Sequence, residues 1–409
     1  MKTIVGNKRN MELRLVDLVP AISGLIGKIA LVSSFALVWA KELGITHPNF
    51  VLENVRIEIL IGSIITLIGA LLYANAAPAG TLAPLVVLVP AMATFGVHPL
   101  ILGVLVGLIG MIAVKTGLFN KLVELAGFVT KTSITLTFGI SGLIMSAKKL
   151  VLYFEEEQVA SYTIIILLSI IYVVLFRVKK NWLIIPVAAV VSFLVPLVLG
   201  TGIQISMVHT KLNLNPFYWW NEMWGLGFGL DLDTILKTIP FALFVILLWT
   251  IDTVSIQTIQ ESNASTEEEK INMDIPQSFL IVSIRNIVGS IFGGAQTGSL
   301  WRSFLIPLFM MKRPIRACAI VLGITGIIGS LTLVPIQIMS YVPLVWSVLL
   351  FGIFMPFTVT AVQNILKTEK SETKIIVVLC SIVGIIVSPI FTWITSVFYE
   401  RIVLRTKEK

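Results

Sequence analysis

Apolar runs of about 17–25 residues recur along nearly the whole chain, and they constrain its fold more than any motif does. In lipid every backbone N–H and C=O must bond within the protein, so such runs fold as helices. The alternation of a barrel strand is absent. Of the 409 residues, 56% are hydrophobic and 13% charged, more apolar surface than a soluble chain of this size could bury. The expectation is an all-α polytopic membrane protein. The net charge of +8 fits cytoplasmic loops lying against anionic lipid. No basic cluster carries the interleaved aromatics of a nucleic-acid site. Cys318 and Cys380 lie in apolar runs and suggest neither a disulfide nor a metal site. His47, His98 and His209 are scattered near loops, so no metal, cofactor or catalytic centre is expected. The N-terminus is polar and the first apolar run is too long for a cleavable signal.

Up to fourteen segments can be drawn. The first seven are 17–40, 56–74, 80–94, 97–115, 125–147, 160–177 and 182–200. A polar, aromatic-rich connection covers 201–234. The second seven are 235–260, 276–293, 298–311, 315–335, 341–353, 354–366 and 374–399. This divides the chain into 1–200, the connection 201–234, and 235–409, with no soluble domain.

Seven is odd, so the second set would enter the membrane from the opposite face, as an inverted repeat. "AGTLAPLVVLVP" (Ala79–Pro90) and "TGSLWRSFLIP" (Thr297–Pro307) share Gly, a hydroxyl residue, Leu and a later Pro. The third and tenth segments are both short. A helix over 298–311 would be about 21 Å long, less than the roughly 30 Å hydrocarbon core. Paired short segments broken by Gly and Pro point to a transporter's binding site. The same small residues would also let helices pack closely.

With both termini in the cytoplasm, most basic residues fall inside, among them Arg177, Lys179, Lys180, Lys312, Arg313, Arg316 and the tail from Arg401 to Lys409. The loop from Lys367 to Lys374 opposes this but alternates with Glu369 and Glu372. Trp219, Trp220 and Trp224 would then lie at the outer headgroup boundary. The triplet beginning at Asn263 matches a glycosylation acceptor, but it would face the cytoplasm.

Charges at membrane depth cost about 2.5–3.5 kcal/mol each on insertion scales, so they are functional candidates. Lys28, Asp252, Arg285 and Arg302 qualify. Lys28 and Asp252 could simply pair and hold two helices. Arg285 is expected to snorkel to the cytoplasmic side, and Lys131 to do the same. Arg302 is the fifth residue of a short segment and is harder to dismiss. Two half-helices would start near midplane with their N-termini facing each other. Free amides at Gly80, Thr81 and Leu82 and at Gly298, Ser299 and Leu300 would favour an anion. Thr81 and Ser299 would add hydroxyls, and Gly80 and Gly298 would permit close approach. Arg302 and Lys28 would supply positive charge. Asp252 would balance charge or carry a coupling proton. Gln257, Gln296 and Thr297 are further candidates.

At "SIRNIVGSIFGGAQTGSLWRS" the chain resembles the ninth-to-tenth segment region of sulfate permease family transporters. Asn286, Gly289, Phe292, Gly293, Gly294, Thr297, Gly298, Ser299, Arg302 and Ser303 carry that resemblance, and "RPIRACAIVLGITGIIGSLTLVPIQIMSYVPLVWSVLLFGIF" continues it. It implies the seven-plus-seven inverted-repeat fold, with a core and a gate domain, shared with anion exchangers and nucleobase permeases. It also implies a homodimer, and Arg302 as the positive residue beside an anion site. The Pro- and Tyr-containing signature of the first two segments is missing, and the last segment ends near Tyr399 with no regulatory domain after it. "IDTVSIQTIQES" looks more like nucleobase permeases, where an acidic residue binds the base. The resemblance therefore suggests a distant bacterial branch in the inner membrane.

The expected function is secondary transport of a small anion (sulfate, bicarbonate or a carboxylate) by alternating access, coupled to protons or sodium or uncoupled. A proton-coupled nucleobase permease using Asp252 is the alternative. An anion channel or non-transporting scaffold is a third. No side-chain constellation at membrane depth suggests an enzyme.

Overall fold

The computed structural model describes residues 12–154, 158–198, 212–264, 271–332 and 342–404. His209, the loop after Ala264 with the last residue of the Asn263 triplet, and the basic tail from 405 onward lie outside them. The chain is an integral membrane protein built of helices. Among the described residues five helices are long and apolar enough to cross a membrane, or six if a bent pair counts as one.

The order begins with α1 (Leu18–Leu43) and α2 (Phe50–Leu72). A short 3-10 turn (Ala83–Leu88) runs into α3 (Val89–Thr94). α4 (Pro99–Lys115) bends by 77° into α5 (Leu118–Glu124). α6 (Phe128–Tyr153), α7 (Gln158–Arg177) and α8 (Ile184–Val198) follow. After the connection come α9 (Leu232–Asn263), α10 (Ile275–Ile291), α11 (Arg302–Met310) and α12 (Ile315–Leu331). The chain ends with α13 (Val342–Lys367), α14 (Ser371–Ile386) and α15 (Pro389–Phe398).

Two expected boundaries move. Segments 341–353 and 354–366 are one helix, α13, which carries Pro356 in its interior. The single segment 374–399 is instead two helices, broken where extended Ser388 precedes Pro389. A residue before proline is driven out of the helical region, whereas a buried interior proline can be absorbed by its neighbours.

α2 packs along α12 while α10 packs along α4, and α1 lies against α11. α6 packs along α13, with α8, α14 and α15 beside them. Arg316 of α12 donates to the carbonyls of Ala70 (2.9 Å) and Leu71 (3.0 Å), covering the end of α2. Arg313 pairs with Asp17 (2.7 Å) at the start of α1.

The two short segments do not begin as helices. Residues 78–82 and 297–301 are extended and run antiparallel past each other. The Gly80 amide donates to the Ser299 carbonyl (2.7 Å), Leu82 to Thr297 (2.9 Å) and Trp301 to Pro78 (3.3 Å). The Gly298 amide donates to Asn286 Oδ1 (2.7 Å). The expectation that these amides are free for an anion is therefore corrected for Gly80, Leu82 and Gly298. Away from water, unwound backbone is stable only when other groups saturate it, and here each segment saturates the other. Helix starts at Ala83 and at Arg302, not at 80 and 298.

Gly80 makes this crossing possible, because a Cβ there would meet Cα of Trp301. Gly80→Ala is expected to force the two segments apart, at an overpacking cost of about 1–3 kcal/mol. A lower melting temperature in detergent, followed by size-exclusion fluorescence, checks this.

The tryptophans of the connection are inside the protein. Trp219, Trp220 and Trp224 are all buried. Their indoles donate to the carbonyls of Asn213 (2.7 Å), Ile291 (2.9 Å) and Gly293 (2.8 Å). The rings close over the end of α10. Gly293, at φ +80, turns the chain beneath Trp219, where a Cβ would strike the indole.

Candidate functional site

The antiparallel crossing is held from both sides by polar side chains on long helices. On α2, Asn54 and Glu58 stand four residues apart and so share a face. Asn54 donates to the Gly293 carbonyl (2.7 Å) and accepts from the Ala295 amide (3.1 Å). Glu58 accepts from Gln296 Nε2 (2.7 Å) and pairs with Arg285 of α10. Arg285 also donates to the Gln296 carbonyl (3.1 Å). Gln296 in turn accepts from the Thr81 hydroxyl, tying the two extended segments through their side chains. The expectation that Arg285 snorkels is overturned. Its side chain is 1% exposed and holds a buried ion pair with Glu58.

On the other side α9 presents Asp252. One carboxylate oxygen accepts from Arg302 Nε and the other from the Ser299 hydroxyl. Lys28 does not pair with Asp252, so that structural reading is also corrected. Trp249, one turn before Asp252, donates to the Gly298 carbonyl (2.8 Å) and fixes α9 against the crossing.

Lys28 and Arg302 keep unused donors, as does Arg285 at Nε. Among the described residues, Lys28 Nζ and Arg302 Nη1 and Nη2 are buried with no hydrogen-bond partner. Lys28 Nζ lies 4.4 Å from the centre of the Trp301 ring, against Gly62 of α2. The Arg302 guanidinium lies 4.4 Å from the centre of the Phe138 ring. Arg302 is also the first residue of α11, where the helix dipole is positive and a cation is locally disfavoured.

Both cations line a cavity of about 30 Å³, together with Gly27, Thr81, Trp301, Ser303 and Phe354. That exceeds the roughly 10–15 Å³ needed for one water. The sequence candidates divide accordingly. Lys28, Thr81 and Arg302 reach the cavity wall. Ser299 and Asp252 stand behind Arg302. Gly80, Leu82, Thr297, Gly298 and Leu300 build the crossing. Gln296 braces it, and Gln257, further along α9, is not among the cavity's walls.

A family described as "Protein of unknown function (DUF3360)" matches residues 4–408. The chain belongs to this family. No curated protein matches it by sequence. Among solved structures, the transmembrane domain of the cyanobacterium bicarbonate transporter BicA aligns with a TM-score of 0.56 at 15% identity, over 93% of this chain and 99% of that one. Murine Solute Carrier 26 family member A9 (Slc26a9), an anion transporter in the inward-facing state, aligns with a TM-score of 0.54 at 13% identity, over 97% of this chain and 69% of that one. The DUF3360 chain therefore has the fold of these transporters, as its resemblance to sulfate permeases implied.

The DUF3360 residue that sequence reasoning missed is Glu58. Starting the second segment at 56 left it at a segment edge, yet α2 begins at Phe50 and carries Glu58 into the interior. Asn54 and Glu58 at a spacing of four, within an apolar helix, were the available signal.

Proposed function

We propose that this chain is a secondary transporter of a small anion, with Lys28 and Arg302 as its binding cations. The observation that carries this is a charge imbalance at the crossing. Lys28, Arg285 and Arg302 face only two carboxylates, Glu58 and Asp252. Counted as ions, they leave one positive charge, and the unused donors of Lys28 and Arg302 border the same cavity. A buried uncompensated cation is costly, and an arriving anion would relieve it. Ser303 lines the same wall and would add a hydroxyl donor.

Asp252 holds Arg302 at the cavity wall. An anion would compete for the guanidinium, so occupancy and the Asp252 pairing would be linked. Coupling to a proton or sodium, where present, would act on Asp252 once Arg302 leaves it. The reciprocal packing of α2 with α12 and α4 with α10 supports two inverted repeats, 1–200 and 235–409, joined by 201–234. In this reading fourteen segments are arranged as a core and a gate, and α3 and α11 are half-helices meeting near midplane. Both termini face the cytoplasm of a bacterial inner membrane, and two copies form a homodimer. The nucleobase reading needs Asp252 to face the ligand; both its oxygens are instead directed at Arg302 and Ser299.

Reconstituted protein in liposomes tests this against labelled sulfate, bicarbonate, chloride, a dicarboxylate and uracil. Uptake of at least one anion at about tenfold or more over empty liposomes, and none of uracil, is expected. Uracil uptake without anion uptake would reverse the assignment.

A further inference from the structure

We infer that the substrate is a monocarboxylate with an apolar body, an aromatic or branched acid rather than a compact inorganic ion. This rests on the anion-transport reading above and names the substrate class of the same site.

The cavity beside Lys28 and Arg302 is small, about 30 Å³. A second cavity of about 280 Å³ adjoins it. The two share Ala83, Leu350 and Phe354 as walls, so only these side chains lie between them along that edge. The larger chamber lies between α6, α9, α13, the break between α14 and α15, and the stretch before α3. Its walls include Phe138, Gly142, Met145, Phe244 and Leu248. No charged side chain is among them. An apolar cavity of about 150 Å³ is enough to take up benzene, so this chamber has room for a ring.

Arg302 joins the two spaces. It lines the small cavity, and its guanidinium lies over Phe138, which lines the large one. A carboxylate on Lys28 and on the unused Arg302 nitrogens would leave its carbon chain pointing past Phe354 into the chamber. A hydrated inorganic ion would use the cations but leave the apolar walls unfilled. An apolar acid would use both, and each buried CH₂ would strengthen binding by about fourfold, the equivalent of about 0.8 kcal/mol. Gly142 lets the Phe354 ring, a wall shared by both cavities, pack directly on α6, since a Cβ there would strike it. Charge neutralisation at one end and apolar burial at the other resemble the usual composition of a small-molecule pocket, mostly hydrophobic with a few placed polar groups.

The test uses full-length protein in nanodiscs, titrated by calorimetry with benzoate, acetate, bicarbonate, chloride and benzyl alcohol. Labelled uptake into liposomes is measured in parallel. Benzoate is expected to bind at least about tenfold more tightly than acetate or bicarbonate, and to be taken up. Phe244→Ala and Leu248→Ala should shrink that preference several-fold by removing wall contacts. Chloride or bicarbonate uptake with benzoate ignored would overturn this inference and leave the anion-transport reading intact. Silence toward every anion would overturn both. Equal binding of benzyl alcohol and benzoate would overturn the inference by reducing the chamber to an apolar sink. Gly142→Leu, which fills the chamber, should abolish benzoate uptake; if that variant misfolds, the two alanine variants decide the matter.

Discussion

Replacing Arg302 with alanine is expected to lower anion uptake at least about 100-fold, corresponding to roughly 3 kcal/mol of lost charge-assisted contact. The same change removes the partner of Asp252, a carboxylate whose side chain is 1% exposed. Leaving one member of a buried ion pair alone typically costs about 3–5 kcal/mol of stability. Loss of transport in the single variant could therefore reflect loss of fold. The double variant Arg302→Ala/Asp252→Asn separates the two, because the neutral amide no longer needs a counter-charge. It should regain much of the melting temperature while remaining inactive. A double variant that transports normally would reduce Arg302 to a structural counter-ion for Asp252.

Glu58→Ala is the second large effect, and it acts on the fold first. It strands Arg285 and removes the acceptor for Gln296. The expected loss is again about 3–5 kcal/mol, roughly a 3–6 °C fall in melting temperature. The compensated variant Glu58→Ala/Arg285→Met should recover most of it, since well-packed apolar replacements of buried ion pairs are often neutral. An unchanged melting temperature in the single variant would mean that Glu58 and Arg285 do not depend on each other. Thermal melts monitored by tryptophan fluorescence suit this chain, which carries nine tryptophans.

The helical membrane class was legible because apolar run length reports directly on burial in lipid. Arg302, Ser299 and Asp252 were legible as candidates because charge and hydroxyls at membrane depth are costly without a use. Their mutual pairing was not, since the sequence gives no distance between residues about 50 positions apart. Arg285 was misread for the same reason. Its partner, Glu58, is 227 residues away and was assigned to a segment edge. The pairing of the Gly80, Leu82 and Gly298 amides was not legible either. Which backbone groups pair across an unwound crossing is a tertiary fact that local propensity does not encode.

The crossing also sets an order of events during synthesis. Lys28 and Glu58 leave the ribosome more than 200 residues before Arg285 and the 297–301 segment that complete their surroundings. Until then the growing chain carries these groups in the bilayer, at a cost of about 2.5–3.5 kcal/mol for each one ionised, without Arg285 and the 297–301 segment to satisfy them. Fragments ending before about residue 300 should therefore insert poorly and be degraded quickly. Assembly of the site is then the late step that commits the newborn polypeptide to its native topology.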